Sequence, residues 1–411
     1  MLSAFAPTAL AFDFMRDGIC YDIAANGKSV TVTYHDINDG FYTGDVVIPD
    51  SVIHGLVRYP VKEIGQFAFF NCQGLNSVTM GNEITAIGDQ AFCYCYWLTD
   101  VRFSQRLQRI GDYAFQYCED LTEVNLPASL TFIGSEAFTY CRSLSAFNID
   151  DDNNVYTAID GVLYTKSRRQ LVMYPAAKTD PDLILPDETE ILQYYALAPQ
   201  PHLHTITLGP KLKTLRSGTF SECTALREIN VSPDNPYWCS IDGVIYDKNV
   251  TTLLAFPMYS VIDAFEVPST VTTLADLSML SAKRIIELSL PASLTHIGDY
   301  ALMDCSSLLR VTSLASVPPK AERNPINTTG MIFSDVVYSQ ASLTVPPEAF
   351  DTYCADPEWG RFRVINDVDR ASLSQVTATE NHAGPVFDIM GRRHRTPFNG
   401  LNIIGRRKII R

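Results

Sequence analysis

The chain has 411 residues, 46% of them hydrophobic and 19% charged, with a formal net charge of −14. This composition holds enough apolar side chains for a core and is not that of a disordered chain. The excess of acids argues against nucleic acid as a partner, because phosphate binding needs a basic field.

The start, MLSAFAPTALAFDF, is apolar, and Ala9-Leu10-Ala11 fits a small-x-small cleavage site. It lacks a basic leader, so residues 1–11 read either as a truncated signal peptide, which would make the chain exported, or as a plain apolar N-terminus. No run of about 20 apolar residues occurs, and no membrane-spanning helix is expected. From Phe12 to Pro60 the pattern alternates at Ile19-Cys20-Tyr21-Asp22-Ile23, at Val30 to Tyr34 and at Asp45 to Ile48. Alternation predicts strands, and residues 12–60 are expected to form an N-terminal β cap.

From residue 61 to 316 one line recurs. IGQFAFFNCQGL begins at Ile64, IGDQAFCYCYWL at Ile87, IGDYAFQYCEDL at Ile110 and IGSEAFTYCRSL at Ile133. The pattern returns at Ile297, and weaker copies begin at Leu192, Leu215 and Leu274. The steps between the eight starts are 23, 23, 23, 59, 23, 59 and 23 residues, so an 82-residue unit overlies the 23-residue one. A period in the twenties predicts a solenoid: each unit has too few apolar groups to bury alone and must stack on its neighbours. Leu121 to Leu126 reads as a short strand stopped by Pro127, and Leu130 to Ile133 as a second strand or turn. The Ala-Phe stretch reads as one helical turn. The Gly after Ile reads as a turn residue needing special backbone angles.

The two longer steps contain insertions, near residues 150–186 and 232–268. Ile159-Asp160-Gly161-Val162-Leu163-Tyr164 in the first matches Ile241-Asp242-Gly243-Val244-Ile245-Tyr246 in the second. Asp-Gly between β-formers signals a hairpin, and each insertion is expected to be a β-hairpin or a bulged coil projecting from the solenoid edge. From 317 to 372, prolines and aromatics replace the repeat, as in LTVPPEAF, Tyr353, Trp359 and Phe362. This segment reads as a C-terminal cap with a closing strand and a short helix. Residues 373–411 form a separate tail. Its last part, 391–411, holds seven Lys or Arg and no acid, which leaves −21 on the rest of the chain.

The IGxxAFxxCxxLxxV units, the IDGVLY insertion, the lead-in FDFMRDGICYDI and the closing VPPEAFDTYCADPEWGRFRVI together resemble the BspA-type leucine-rich repeat proteins. These are a surface and secreted family common in Bacteroidetes. The tail VFDIMGRRHRTPFNGLNIIGRRKIIR resembles a short C-terminal element of exported Bacteroidetes proteins. The resemblance implies a right-handed leucine-rich repeat solenoid, β-rich with short helical turns and capped at both ends. It implies a non-catalytic cell-surface or secreted protein that binds an extracellular protein or glycan of a host or neighbouring cell. A structural component of the bacterial envelope is the alternative. No cofactor is expected.

Three features are candidate sites. Cys72, Cys95, Cys118, Cys141, Cys223 and Cys305 share one repeat position. A column of buried thiols is the first reading, and disulfides between coils the second. Tyr94, Tyr117 and Tyr140 each precede a column cysteine, with Tyr96 and Trp97 nearby. If the cysteines point inward, these rings form an outward stripe. It is either a sticky platform or a stacked ladder that only stabilises the coils. The third feature is the exposed side of the short strands: Thr99, Asp100 and Arg102; Thr122, Glu123 and Asn125; Arg227, Glu228 and Asn230. No metal site is expected. Asp150-Asp151-Asp152-Asn153-Asn154 lacks the glycine and glutamate of a calcium loop. His202 and His204 flank Leu203 with no third ligand in view, and Cys93-Tyr94-Cys95 stands alone. The basic tail reads either as a secretion or attachment signal, or as a small hairpin on the C-terminal cap.

Overall fold

The computed structural model describes residues 12–37, 40–193, 195–197, 199–216, 218–220, 222–321 and 331–367, with short strands at 386–387, 393–394, 401–404 and 407–410. The apolar start, residues 1–11, lies outside the described residues, as does most of the tail.

One coil shows how the sequence makes the shape. In the strand Glu123–Leu126, Val124 and Leu126 point inward while Glu123 and Asn125 point outward. Pro127 has no N–H to continue the ladder, and the strand stops. The chain turns at Leu130 and enters the two-residue strand Phe132–Ile133, which buries Ile133. It then returns through a turn that buries Ala137, Phe138, Cys141 and Leu144. The next coil stacks in register, with Val124 beside Phe147. Repetition yields a β-solenoid of about 13 turns with little helix.

Stacking aligns like with like. Phe69, Phe92, Phe115 and Phe138 form a buried spine, with ring centroids 4.8, 4.9 and 5.2 Å apart and planes within 9°. The long strands line one side in parallel blocks. These are Gly44–Ile48, Leu75–Met80 and Asp100–Arg102; then Glu123–Leu126 and Ala146–Ile149; then Asp182–Ile184, Thr205–Leu208 and Glu228–Val231. A last block runs from Ala264–Glu266 to Val364–Asp367. The two-residue strands form a second parallel ladder on another side.

The third side departs from expectation in two ways. Its turns are not helical: among the described residues, helices occur only between Asp335 and Arg361. Instead the third residue after each Ile or Leu start has a left-handed φ, as at Phe67, Gln90, Tyr113, Glu136, Leu277 and Tyr300. So does the seventh residue in six coils: Asn71, Tyr94, Tyr117, Tyr140, Ser281 and Asp304. This geometry aims alternate N–H groups along the solenoid axis. Gln90, Phe92 and Tyr94 donate to the carbonyls of Asp112, Ala114 and Gln116 at 2.8, 2.7 and 2.9 Å. A helical turn would spend those N–H groups within its own coil.

The second difference concerns the glycines. None of Gly65, Gly88, Gly111, Gly134 or Gly298 has a left-handed φ. Each is small because the preceding coil lies against it: a Cβ on Gly88 would meet the Gln66 nitrogen at 2.5 Å and the Gly65 carbonyl carbon at 2.7 Å. The aspartate that follows completes the seam. Asp89 Oδ1 accepts the Asp112 N–H at 2.9 Å, and Asp112 Oδ1 accepts the Ser135 N–H at 2.8 Å.

The insertions do not project. Tyr156–Ile159, Val162–Thr165 and Gln170–Met173 form an antiparallel meander, and its third strand rejoins the short-strand ladder beside Ile191–Leu192. Trp238–Ile241, Val244–Asp247 and Thr252–Ala255 repeat this. Asp160 and Gly161, like Asp242 and Gly243, have φ of 49°, 78°, 50° and 76°, the left-handed pair of a tight hairpin turn. Val162, Leu163, Tyr164, Leu171 and Tyr174 are buried. The meander therefore crosses the core, where its apolar residues are covered, rather than leaving the edge, where they would be wet. The core accordingly divides into three clusters, 14–173, 162–245 and 244–362.

At the N-terminal end, Phe14–Arg16, Ile19–Ile23 and Val30–Thr33 pair antiparallel, and Val30–Thr33 then pairs parallel with Val57–Ile64. Near the C-terminal end, Trp359 is buried and its Nε1 donates to the Pro319 carbonyl at 3.0 Å. The four short tail strands form an antiparallel sheet, with Leu401–Ile404 and Arg407–Ile410 as a hairpin.

Candidate binding surfaces

All ten cysteines are free thiols. The column cysteines are buried, and each of five gives its thiol to a carbonyl 26 residues back. Cys95, Cys118, Cys141, Cys223 and Cys305 reach Phe69, Phe92, Phe115, Leu197 and Met279 at 3.0–3.3 Å. Burial pushes these thiols up, to about 12 for Cys305. Such thiols are weak nucleophiles and ligands, so the column is core. Among the described residues, no group of three or more His, Cys, Asp or Glu could hold a metal ion.

The tyrosines do stack. Tyr94 and Tyr117 lie 4.9 Å apart at 15°, and Tyr117 and Tyr140 lie 4.5 Å apart at 4°. Their rings are half-buried rather than exposed, because each faces the next. Tyr96 tilts against Tyr94 at 6.0 Å, and Trp97 is 59% exposed at the corner leading to the long strand. Tyr140 ends the stack. Its hydroxyl meets Glu222 Oε1 at 3.5 Å across the first insertion. Burial and the negative charge of Glu222 push the Tyr140 phenol up to about 12. The ladder reading thus has direct geometric support, while Trp97 remains an outward apolar group.

On the long-strand side, Thr99, Asp100, Arg102, Thr122, Glu123 and Asn125 are all exposed. Arg102 Nε donates to Asp100 Oδ2 at 3.3 Å, and Asn148 Nδ2 donates to Asn125 Oδ1 at 2.9 Å. Both contacts are solvent-facing and hold little energy. Thr99 and Thr122 sit at strand entries, where the Thr99 hydroxyl donates to the Asn76 carbonyl at 3.1 Å and the Thr122 carbonyl accepts the Ser145 hydroxyl at 3.0 Å.

Arg227, Glu228 and Asn230 lie beyond the first insertion, apart from the other two triplets. The second insertion makes a groove of about 420 Å³ beside them. Its turn lands on the strand: the Ile229 N–H donates to the Gly243 carbonyl at 2.9 Å, and a Cβ on Gly243 would lie 3.1 Å from Glu228 Cα. Asp242, Ser240 and Val261 thereby join Arg227, Glu228 and Asn230 around one depression. Ile241, Tyr259 and Val261 are exposed apolar groups nearby. Sequence reading found the hairpin but not its landing place. Asp242 and Ser240 were therefore missed, although the glycine next to Asp242 was the signal that a close approach was needed.

Comparison with known proteins agrees with this architecture. The sequence profile of the "BspA type Leucine rich repeat region" matches in six copies, over residues 56–160, 181–237 and 236–319. No curated protein matches the chain. A leucine rich cell surface protein from Faecalibacterium prausnitzii is similar at 21% identity and a TM-score of 0.51, covering 88% of this chain and 96% of its own. A leucine-rich repeat protein from Eubacterium ventriosum is similar at 20% identity and a TM-score of 0.45, covering 78% and 92%. The pneumococcal vaccine antigen PcpA is similar at 20% identity and a TM-score of 0.43, covering 86% and 84%.

Proposed function

Because the chain belongs to the BspA-type leucine-rich repeat family, we propose that it is a non-catalytic, exported protein of the cell surface or surroundings. It binds an extracellular protein or glycan of a host or neighbouring cell, in the manner of an adhesin. The observation that carries this reading is the long-strand side. Parallel rungs about 4.8 Å apart hold outward side chains in fixed rows, so little ordering entropy remains to be lost on binding. The groove at Arg227, Glu228, Asn230 and Asp242 interrupts those rows with a concave, mixed-charge site beside exposed Tyr259 and Val261. Among the described residues, no helix is long and apolar enough to cross a membrane. The shared fold with a solved leucine rich cell surface protein is in keeping with a place outside the cell.

The test is binding of the purified chain to a panel of matrix proteins and host glycans, beside the double variant Arg227→Ala, Asn230→Ala. Saturable binding weakened about tenfold in the variant is the expected result. Binding that persists in the variant moves the site along the strands. A chain that binds nothing in the panel returns the envelope component to first place. The basic tail, with its four-stranded sheet, would then be the attachment element, and its deletion should release the protein.

A further inference from the structure

The short-strand side carries its own departure from the repeat. Its outward positions run Arg109, Phe132, then Gln170, Ile191 and Thr214. Between Phe132 and Gln170 the ladder is broken. Phe132–Ile133 is the last strand of its sheet, and in place of a further strand the Tyr156 hydroxyl accepts the Ile133 N–H at 2.9 Å. In the two coils after the break the repeat's glycine is replaced, by Gln193 and Arg216. At the glycines themselves a side chain is excluded by the coil before, as at Gly88 and Gly134, and the coil at Leu274 carries only the small Ala275 there. Here both side chains open onto a trough of about 630 Å³, lined also by Phe132, Gln170 and Thr214. That volume falls within the roughly 300–1,000 Å³ of small-molecule sites.

The chemistry of the lining is specific. The Arg109 guanidinium carbon lies 4.2 Å from the Phe132 ring centroid. Arg109 comes from the coil before Phe132; of the trough residues, Asp112 comes from that same coil, Ser135 from Phe132's own, and Gln170, Gln193 and Thr214 from beyond the break. The ring is thus covered by the guanidinium on one side, yet Phe132 is 41% exposed and lines the trough. Along the floor, Gln170 Nε2 donates to Gln193 Oε1 at 3.1 Å, which fixes both amides. Ser135, Thr165 and Thr214 add hydroxyls. Asp112 and Arg216 contribute one charge of each sign. Amides and hydroxyls both donate and accept, as vicinal sugar hydroxyls do. The C–H face of a pyranose suits a bare aromatic face. A phosphate or polyanion would call for more than one cation.

We propose that this trough binds a short neutral oligosaccharide, stacked on Phe132 and hydrogen-bonded along Gln170, Gln193 and Thr214. From Gln170 to Thr214 two rung steps span roughly 10 Å, room for about two rings, and Phe132 beyond the break offers a place for a third. The proposal rests on the reading of the chain as a binding protein, and places a second site on a different side from the long strands.

The test uses the full chain, with calorimetry and saturation-transfer NMR against cellotriose, maltotriose, mannotriose and chitotriose. At least one should bind saturably. Phe132→Ala and Gln193→Gly should each weaken it about tenfold. Gln193→Gly restores the residue the repeat itself uses, so its fold is expected to be intact, and its thermal melt checks this. The strand-side variant Arg227→Ala, Asn230→Ala should bind the sugar unchanged. Failure of all four sugars, preference for a sialylated over a neutral sugar, or unaltered binding in both trough variants would overturn the proposal. Loss of sugar binding in the strand-side variant would overturn it too. Sugar binding with no protein ligand on the long strands leaves the trough standing and removes only the strand-side assignment.

Discussion

Asn235 repeats, bond for bond, what Asn153 does one 82-residue unit earlier. Asn153 Nδ2 donates to the carbonyls of Pro127 and Leu130, both at 3.0 Å, and Asn235 Nδ2 donates to those of Gly209 and Leu212, both at 2.9 Å. Each Oδ1 accepts two N–H groups of the insertion, from Val155 and Tyr156 or from Tyr237 and Trp238, at 2.8–2.9 Å. Both side chains are buried. They tie each insertion to the coil beneath it.

Replacing either asparagine by alanine leaves four backbone groups without that partner. Unpaired buried groups cost about 1–3 kcal/mol each, with partial relief from water. The expected loss for Asn153→Ala or Asn235→Ala is about 2–4 kcal/mol. A urea titration followed by tryptophan fluorescence and circular dichroism measures it. A change below about 0.5 kcal/mol would show that the clamps are dispensable.

Gly111→Ala tests the glycine seam. A Cβ there would meet the Asp89 nitrogen and the Gly88 carbonyl carbon at 2.6 Å, and backbone atoms cannot swing aside. Overpacking of this kind costs roughly 1–3 kcal/mol. Gly209→Ala is the control, because its nearest neighbours would lie at 3.4 Å. The first variant should melt several degrees lower, and the second should match the parent. Equal melting temperatures would refute the close-approach account.

Thiol chemistry distinguishes the column from the surface. Iodoacetamide at pH 8 should label exposed Cys354 first and half-buried Cys239 more slowly, while the buried column stays unlabelled. In denaturant, without reductant, all ten cysteines should react. Recovery of linked column cysteines by mass spectrometry would contradict the free-thiol column.

Tyrosine titration reports the stack. The Tyr140 phenol is raised from 10.0 to about 12, so the folded chain holds this proton more tightly than the unfolded one. Its contribution is complete below pH 10 and is lost as pH climbs toward 12. Stability should fall across that window, and Tyr140→Phe should lessen the slope. Glu222→Gln removes a negative charge and should bring the phenol's titration, read by absorbance, to lower pH. An unmoved midpoint would separate the two residues electrostatically.

Much of this architecture could be read from spacing. The 23-residue step gave the coil, and alternation in Glu123–Leu126 gave the strand side. Inward cysteines placed Tyr94, Tyr117 and Tyr140 together, because adjacent residues with a common period must stack. Backbone conformation was less legible. Left-handed φ at Tyr94 or Phe67 defies the usual preference for Gly or Asn, and only the hydrogen bonds to the next coil explain it. The glycines misled for the converse reason: a small residue can mark crowding as well as freedom. The grooves were invisible, since each depends on where an insertion lands. Asn153 had a trace, for it stands 82 residues from Asn235 in otherwise loosely matched segments.

The meander and the two coils that follow it form a cassette with like seams. One end docks through Phe147 N to Gly161 O, and the next cassette docks through Ile229 N to Gly243 O, both at 2.9 Å. An in-frame gain or loss of 82 codons would therefore join one such seam to its equal and leave both termini as they are. Length, and with it the number of grooves displayed, can change by recombination in whole steps, with no new junction to be invented.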